Sequence, residues 1–591
     1  MAVKTDDEIR LQADVMVPMR DGVRLRTDIY LPCGQGPFPV LLSRTPYSTD
    51  DGRMAVTGRE LAGQGYATVI QHCRGRYGSE GEFYPHRFEV EDGFDAVEWA
   101  AVQSWSNGKV GMFGASYLGL VQWAAAMARP PHLIAIAPVS AAWSFFDSNV
   151  WYWSQGVLGL GMALMWTGQM TTWEAKRRGV PQSLPAFARI EQAMHEMSSN
   201  PAAFETAAVE QALLLKELLA RRPLRDIAEL QDLAPWWRDW CDHDDPDDPY
   251  WRRMHASEHI DALTLPILHM TGWYDFFTQG VLKGYRTMKT RGTTGEVRKA
   301  QRLVVGPWSH VPGVVPRPDV SCGSDCADMY AHHEGSPVME FFRHHLKGES
   351  PDFDEKPPVR IFVMGVNQWR DEWEWPLLRT RWTRYYLHSN RGAGTLDGDG
   401  ALSLQPPTEE RADSFVYNPD DPVPGPTAVG LTAGAGIDPR NTGRRPDVLV
   451  YSSEPLEEDL EVTGPVTLEL WAASSAPDTD FIAKLIDVFP GGDAVPVCQG
   501  IVRARYANAH PMQPGAIYRF DIELWATSNV FKTGHRVRLH ISSSEYPTYD
   551  LNPNTGARIT HDGTRRALIA TQHVFHDRMH PSRLILPVIP Q

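Results

Sequence analysis

Three side chains, widely separated in a chain of 591 residues, have the types and settings that acyl-transfer chemistry asks for. Ser116 stands in Val110-Gly111-Met112-Phe113-Gly114-Ala115-Ser116-Tyr117-Leu118-Gly119. There an apolar run ends in glycine, serine and glycine before a long apolar-periodic stretch. This layout suits a sharp strand-to-helix turn that projects one serine above a sheet. The glycines fall where a side chain would strike the neighbouring strand or helix. The pattern departs from G-x-S-x-G, because Leu118 takes the place of the second glycine and Gly119 follows it. A serine needs a base to take its proton and an acid to hold that base in the right tautomer. Asp275 closes Gly272-Trp273-Tyr274-Asp275 after the apolar run 265–270. His310 closes Gly306-Pro307-Trp308-Ser309-His310 after the run 302–306. Each has an ordinary alternative: Ser116 in a plain strand–turn–helix, Asp275 as a helix cap, His310 as one of 21 histidines. Serine, acid and histidine in that order, each at the end of a strand-like run, favour the catalytic reading.

Residues 1 to about 142 alternate between strand and helix patterns. Val23–Tyr30 alternates like a half-buried strand, and Pro39–Arg44, Ala67–Gln71 and Leu133–Ala137 are short apolar runs. Phe94, Val97 and Ala101 share one helical face, and the Asn107-Gly108 turn feeds the strand that ends at Ser116. Strands separated by helices imply βαβ units and a mainly parallel sheet. Between about 143 and 241 the alternation stops, and helical stretches such as Val209–Ala220 read as an inserted cap. Its aromatics, Trp143, Phe145, Phe146, Trp151, Tyr152, Trp153 and Trp166, exceed what so small an insert must bury in its own core. Strand patterns return at 265–270 and 302–306, and a helix covers about 338–346. From about Pro357 short alternating strands (359–363, 382–388, 466–471, 481–488, 537–541) separated by Pro/Gly-rich loops predict a sandwich or jelly roll. The expected architecture is α/β: a hydrolase-type core over 1–143 and 242–355, a helical cap over 144–241, and an all-β, galactose-binding-like jelly roll over 356–591.

A formal net charge of −16 argues against nucleic acid and anionic membranes as partners. No apolar run is long enough to span a bilayer, and the first residues lack the apolar core of a secretory signal, so the expected location is cytoplasmic. Six scattered cysteines make no disulfide framework. Cys322 and Cys326 are close enough to pair, but reduced thiols are expected. The acidic run Asp242–Asp248, which contains His243, lacks the spaced ligands and turn glycine of a calcium loop and reads as solvated. No metal and no organic cofactor is expected, and the oligomeric state, a homodimer included, stays open.

The chain also resembles the cocaine-esterase-like (CocE/NonD) hydrolases, related to X-prolyl dipeptidyl peptidases and α-amino acid ester hydrolases. The matching pieces are Val17–Val23, Arg44–Tyr47, Gly78–Phe83, Gly114–Gly119, Gly272–Asp275, Gly306–His310, Ser528–Phe531 and Asn552–Gly556. The resemblance implies Ser116 as nucleophile, His310 as base and Asp275 as the acid that orients it. It implies an oxyanion hole made by the Tyr47 hydroxyl and the Tyr117 backbone N–H. By the same carry-over, Trp151, Trp166 and Phe277 line the acyl pocket. Two places depart from the family pattern. His72-Cys73-Arg74-Gly75 stands where an aspartate is common, which puts a local ion pair in question. The loop 425–432, expected to approach the substrate, matches poorly.

The reading is a serine hydrolase that cleaves small carboxylic esters through an acyl-enzyme, with bulky apolar or aromatic acyl groups favoured by the aromatic insert. An amide-cleaving relative, a dipeptidyl peptidase or β-lactam acylase, is the alternative. It would need carboxylates to meet a substrate ammonium, for which Asp147, Asp242 and Asp244 are the candidates. A carbohydrate-binding protein built on the jelly roll is a third reading, which the three matched catalytic candidates disfavour.

Overall fold

The computed structural model describes residues 9–50, 52–146, 153–180, 209–210, 213, 223–245, 248–311, 314–323, 332–428, 430, 437–508, 510–558, 560–561 and 567–590. A ten-stranded sheet forms the first half. Its strands are β1 (Ile9–Pro18), β2 (Arg24–Pro32), β3 (Phe38–Thr45), β4 (Ala67–His72), β5 (Ser106–Ala115), β6 (Leu133–Val139), β7 (Ile267–Tyr274), β8 (Gln301–Ser309), β9 (Val359–Val363) and β10 (Gln368–Glu372). They lie in the order β1-β2-β4-β3-β5-β6-β7-β8-β9-β10. The run from β4 to β9 is parallel, with antiparallel pairs at both edges. Parallel strands need crossovers that cover both sheet faces. Every residue of β4 and β8 is accordingly buried. The helices α1 (Arg53–Gly63), α2 (Glu89–Ala101) and α3 (Tyr117–Met127) supply crossovers. α3 is apolar almost all round and buried over most of its length, as a helix packed between a sheet and other helices must be.

Between β6 and β7 the insert carries α4 (Leu160–Arg178) and α5 (Trp236–Asp242). It is not wholly helical, because Trp153–Ser154 and Val157–Leu158 pair as a small antiparallel ribbon. The stretch is too short for a strand period to show. Of the expected helix Val209–Ala220, all but residues 209, 210 and 213 lie outside the described residues, as do Asp147, Trp151, Tyr152 and Cys326. The strand 359–363, expected in the all-β part, instead pairs in parallel with β8 and extends the first sheet. Its alternation identifies a strand but not the sheet it joins. The helix α6 (Thr278–Arg291) links β7 to β8, and after β10 strands over 381–588 build a second, almost wholly antiparallel sheet. It encloses its own core of Leu387, Leu449, Leu468, Phe481, Phe520 and Leu539. Cys322 is disulfide-bonded, against the expectation of reduced thiols, while Cys73, Cys241 and Cys498 are free thiols. A low cysteine count excludes a framework, not a single bond.

The acidic run does not behave as a free solvated loop. Asp242 pairs with Arg225 and His561, Asp244 with Arg558, and His243 with Asp248. Among the described residues no helix is long and apolar enough to cross a membrane.

Candidate active site

The C-terminal ends of β3, β5, β7 and β8 bring together the residues singled out above, on the sheet edge where ligands sit in parallel α/β proteins. β5 and α3 meet at Ser116 in a turn with φ 59° and ψ −125°, a conformation costly for any residue with a Cβ. The strain is held from several sides. The Ser116 N–H donates to Val139 O at 2.9 Å, and its carbonyl accepts from Leu120 N–H at 3.0 Å. At Gly119 an added Cβ would lie 2.5 Å from the Ala141 Cβ and 3.2 Å from Val139 O. The close crossing of α3 over the end of β6 therefore falls at 119, which explains why Leu118 is tolerated in this motif. Gly114 has φ 132°, and a Cβ there would meet the Leu118 Cβ at 2.6 Å.

β7 and β8 run longer than their apolar cores suggest, and end at Tyr274 and Ser309. Asp275 and His310 are each the next residue. His310 Nε2 lies 3.0 Å from Ser116 Oγ, and His310 Nδ1 lies 2.8 Å from Asp275 Oδ2. Asp275 is fully buried, and its other oxygen accepts the Phe277 N–H at 2.7 Å. A carboxylate fixed this way cannot swing away from the imidazole. The rings of Phe276 and Phe277 pack on His310, with centroids at 4.3 and 5.6 Å.

Tyr47 follows β3 by two residues. Its hydroxyl contacts Ser116 and accepts the Trp166 indole N–H at 3.1 Å. Burial pushes its pKa up to about 12, opposed by those two hydrogen bonds and the nearby Arg76, so it stays a neutral donor at neutral pH. Tyr117 is the first residue of α3. Its N–H has no intrahelical acceptor and lies at the positive end of the helix dipole. The Tyr117 hydroxyl donates to Glu89 Oε1 at 3.0 Å, and Arg44 holds the other Glu89 oxygen at 2.6 Å. Burial, with the Glu89 carboxylate, holds that hydroxyl far above its usual pKa. Behind the elbow the doubtful ion pair exists in another form, with Arg74 bridging Asp92 at 2.6 Å and Asp21 at 2.7 Å.

Of the residues assigned to the acyl pocket, Trp166 on α4 and Phe277 are buried beside this group, and Trp151 lies outside the described residues. Ala428, from the loop 425–432, joins the same apolar cluster as Trp166 and Phe277. Sequence reasoning missed Phe276, although it sits inside the Asp275 motif. It also missed Trp240, which stacks on Trp166 at 6.1 Å. The helical spacing of Trp236, Trp237 and Trp240 was the available signal. Among the described residues no group of three or more His, Cys, Asp or Glu side chains is arranged to hold a metal ion.

Comparison with known proteins places the chain in a family. Residues 21–312 match the X-Pro dipeptidyl-peptidase (S15) family, and residues 351–585 match the X-Pro dipeptidyl-peptidase C-terminal non-catalytic domain. The chain is 38% identical over 602 residues to the cocaine esterase of Rhodococcus sp. (strain MB1 Bresler), covering 99% of each. The chain belongs to the CocE/NonD hydrolases. Two solved structures share its fold along its whole length. An aminopeptidase from a marine sediment archaeon (Thaumarchaeota archaeon) superposes with a TM-score of 0.80 at 25% identity, covering 100% of this chain and 98% of its own. An α-amino acid ester hydrolase gives 0.75 at 26% identity with the same coverage. A CocE/NonD hydrolase therefore has the expected two-part architecture here, an α/β-hydrolase-like domain followed by an all-β domain, and is a hydrolase of the serine esterase type.

Proposed function

We propose that this CocE/NonD hydrolase cleaves small carboxylic esters through an acyl-enzyme, with Ser116 as nucleophile, His310 as base and Asp275 as the acid that orients it. His310 Nε2 takes the Ser116 proton as Oγ attacks the ester carbonyl. The resulting oxyanion accepts hydrogen bonds from the Tyr47 hydroxyl and the Tyr117 N–H. His310 returns the proton to the departing alcohol, then activates a water that releases the acid. All of this uses side chains and backbone of this chain. The single observation that carries the reading is the unbroken hydrogen-bond chain from Asp275 through His310 to Ser116, with the Tyr47 hydroxyl against the serine.

The acyl group is proposed to be bulky and apolar or aromatic, because Trp166 and Phe277 flank the serine and histidine. Amide cleavage of a free-amine substrate is less well supported. The described carboxylates considered for an ammonium, Asp242 and Asp244, are already engaged by Arg225, His561 and Arg558. The test is a panel of acetyl, benzoyl and aminoacyl esters and anilides on the purified protein, together with fluorophosphonate labelling. Labelling confined to Ser116 and lost in Ser116→Ala, with esters turned over faster than anilides, is expected. Faster cleavage of free-amine anilides than of acylated esters would favour the peptidase reading.

A further inference from the structure

We propose that Trp166 is a positioning residue for the oxyanion hole: its indole N–H sets the direction in which the Tyr47 hydroxyl donates. This rests on the reading of Tyr47 as an oxyanion donor, and it gives Trp166 a task separate from walling the acyl pocket.

An indole nitrogen can only donate, whereas a phenol oxygen carries one proton and accepts through its lone pairs. At 3.1 Å the Trp166 N–H must therefore point at Tyr47 Oη and occupy one acceptor direction. The phenolic proton is left to point away from the indole, and Ser116 lies within hydrogen-bonding reach of the same hydroxyl. An accepted hydrogen bond also strengthens the bond a hydroxyl donates. Without the indole N–H, the proton can rotate toward the insert and away from the serine.

The backbone around this pair is braced in the same sense. Arg76, buried among Tyr77 and Phe83, donates through Nε to Pro46 O at 2.8 Å and through Nη1 to Met170 O at 3.1 Å. Pro46 precedes Tyr47, and Met170 lies one turn beyond Trp166 on α4. One guanidinium thus fixes the separation of the two segments that the Trp166–Tyr47 bond joins. The same indole ring also stacks on Tyr117, with centroids 5.7 Å apart and planes at 13°. A single side chain of the insert touches both residues that would hold the oxyanion.

A wall and a positioning residue fail differently. Loss of a wall raises KM and spares small acyl groups, whereas loss of the N–H lowers kcat for every acyl group. The experiment replaces Trp166 by 3-benzothienylalanine, which keeps the bicyclic ring and exchanges the N–H for sulfur, alongside Trp166→Phe. Each change is made in the native enzyme and in Tyr47→Phe. The isostere should lower kcat by about 3–10-fold on acetyl and benzoyl esters alike, the range for one neutral hydrogen bond, with KM unchanged. In Tyr47→Phe it should have no further effect on kcat, because nothing remains to orient. An unchanged kcat on acetyl esters would overturn the proposal, as would an equal loss in the Tyr47→Phe background. The isostere settles the matter if Trp166→Phe fails to fold. Tyr47→Phe alone tests the underlying reading: a near-native kcat there would remove Tyr47 as a donor, whatever the isostere does.

Discussion

Asp275→Asn exchanges one oxygen for an NH2 group at the most constrained point of the site, and the structure dictates how the amide must sit. Asp275 uses one oxygen to accept the Phe277 N–H and the other to accept from His310 Nδ1. An asparagine can satisfy the Phe277 N–H only with its carbonyl oxygen, so its NH2 faces Nδ1. The opposite orientation sets donor against donor in a fully buried place, at a cost of about 1–3 kcal/mol. With NH2 against Nδ1, the imidazole must present its lone pair there and carry its proton on Nε2. Nε2, 3.0 Å from Ser116 Oγ, is then a donor and cannot accept the serine proton. The loss expected from wrong-tautomer histidine is about 10³–10⁴ in kcat. KM and the melting temperature should change little, since the hydrogen-bond count at the site is preserved. Stopped-flow hydrolysis of a p-nitrophenyl ester reads kcat, and a thermal melt on the same sample reads integrity. Fluorophosphonate labelling should slow by a similar factor, because it needs the same deprotonation. A well-folded Asp275→Asn enzyme within tenfold of native kcat would refute the assignment of Asp275 as the orienting acid.

Phe277→Ala keeps the N–H that holds Asp275 but removes the ring beside His310, so kcat/KM should fall at least about tenfold more for benzoyl than for acetyl esters. Equal losses for both would show that the ring serves packing alone. Acid should destabilise the fold from mildly acidic pH, because burial pushes His86 and His255 down to about 3. Below about 6.5 these two histidines take up protons in the unfolded chain that they do not in the folded one, so their contribution to stability is constant above that pH and lost as the pH falls toward 3. Each histidine contributes up to about 1.4 kcal/mol per pH unit, and urea midpoints between pH 7.5 and 4.5 should flatten measurably in His86→Phe. Arg503→Leu strands the buried Asp480 and Asp550, 2.8 and 2.7 Å from its guanidinium, and should destabilise the protein by about 3–5 kcal/mol in denaturant titrations.

Ser116, Asp275 and His310 were legible because each sits where an apolar run gives way to a polar residue, beside glycines that permit close approach. Such punctuation is written locally, and the chain order of the three is itself a sequence property. The parallel core was legible for the same reason. What escaped depends on which elements meet. The strand 359–363 has an alternation equally suited to either sheet, and only its pairing with β8 decides between them. The bond between Trp166 and Tyr47 spans 119 residues and requires α4 to be placed over β3, which no periodicity reveals. Arg76 looks like an ordinary loop arginine until both carbonyls it meets are known.

The late motifs show the same limit from the other side. Ser528–Phe531 and Asn552–Gly556 resemble family pieces, and their asparagines are engaged in buried ion networks. Asn529 Oδ1 accepts from Arg317 Nη1 at 2.8 Å, and Arg317 lies seven residues beyond His310, also meeting Asp319 and Asp487. Asn552 donates to Asp480, which holds Arg503, whose Nη1 reaches the Gly156 carbonyl in the ribbon that leads into α4. Two chain segments that end at the active site, one behind His310 and one ahead of Trp166, are therefore tied to the second sheet by buried charge. Partly broken networks of this kind cost more than they contribute when whole, because the abandoned charge stays buried. An all-β domain can in this way brace the segments that carry His310 and Trp166, which gives motif-like residues far from Ser116 in sequence a structural task.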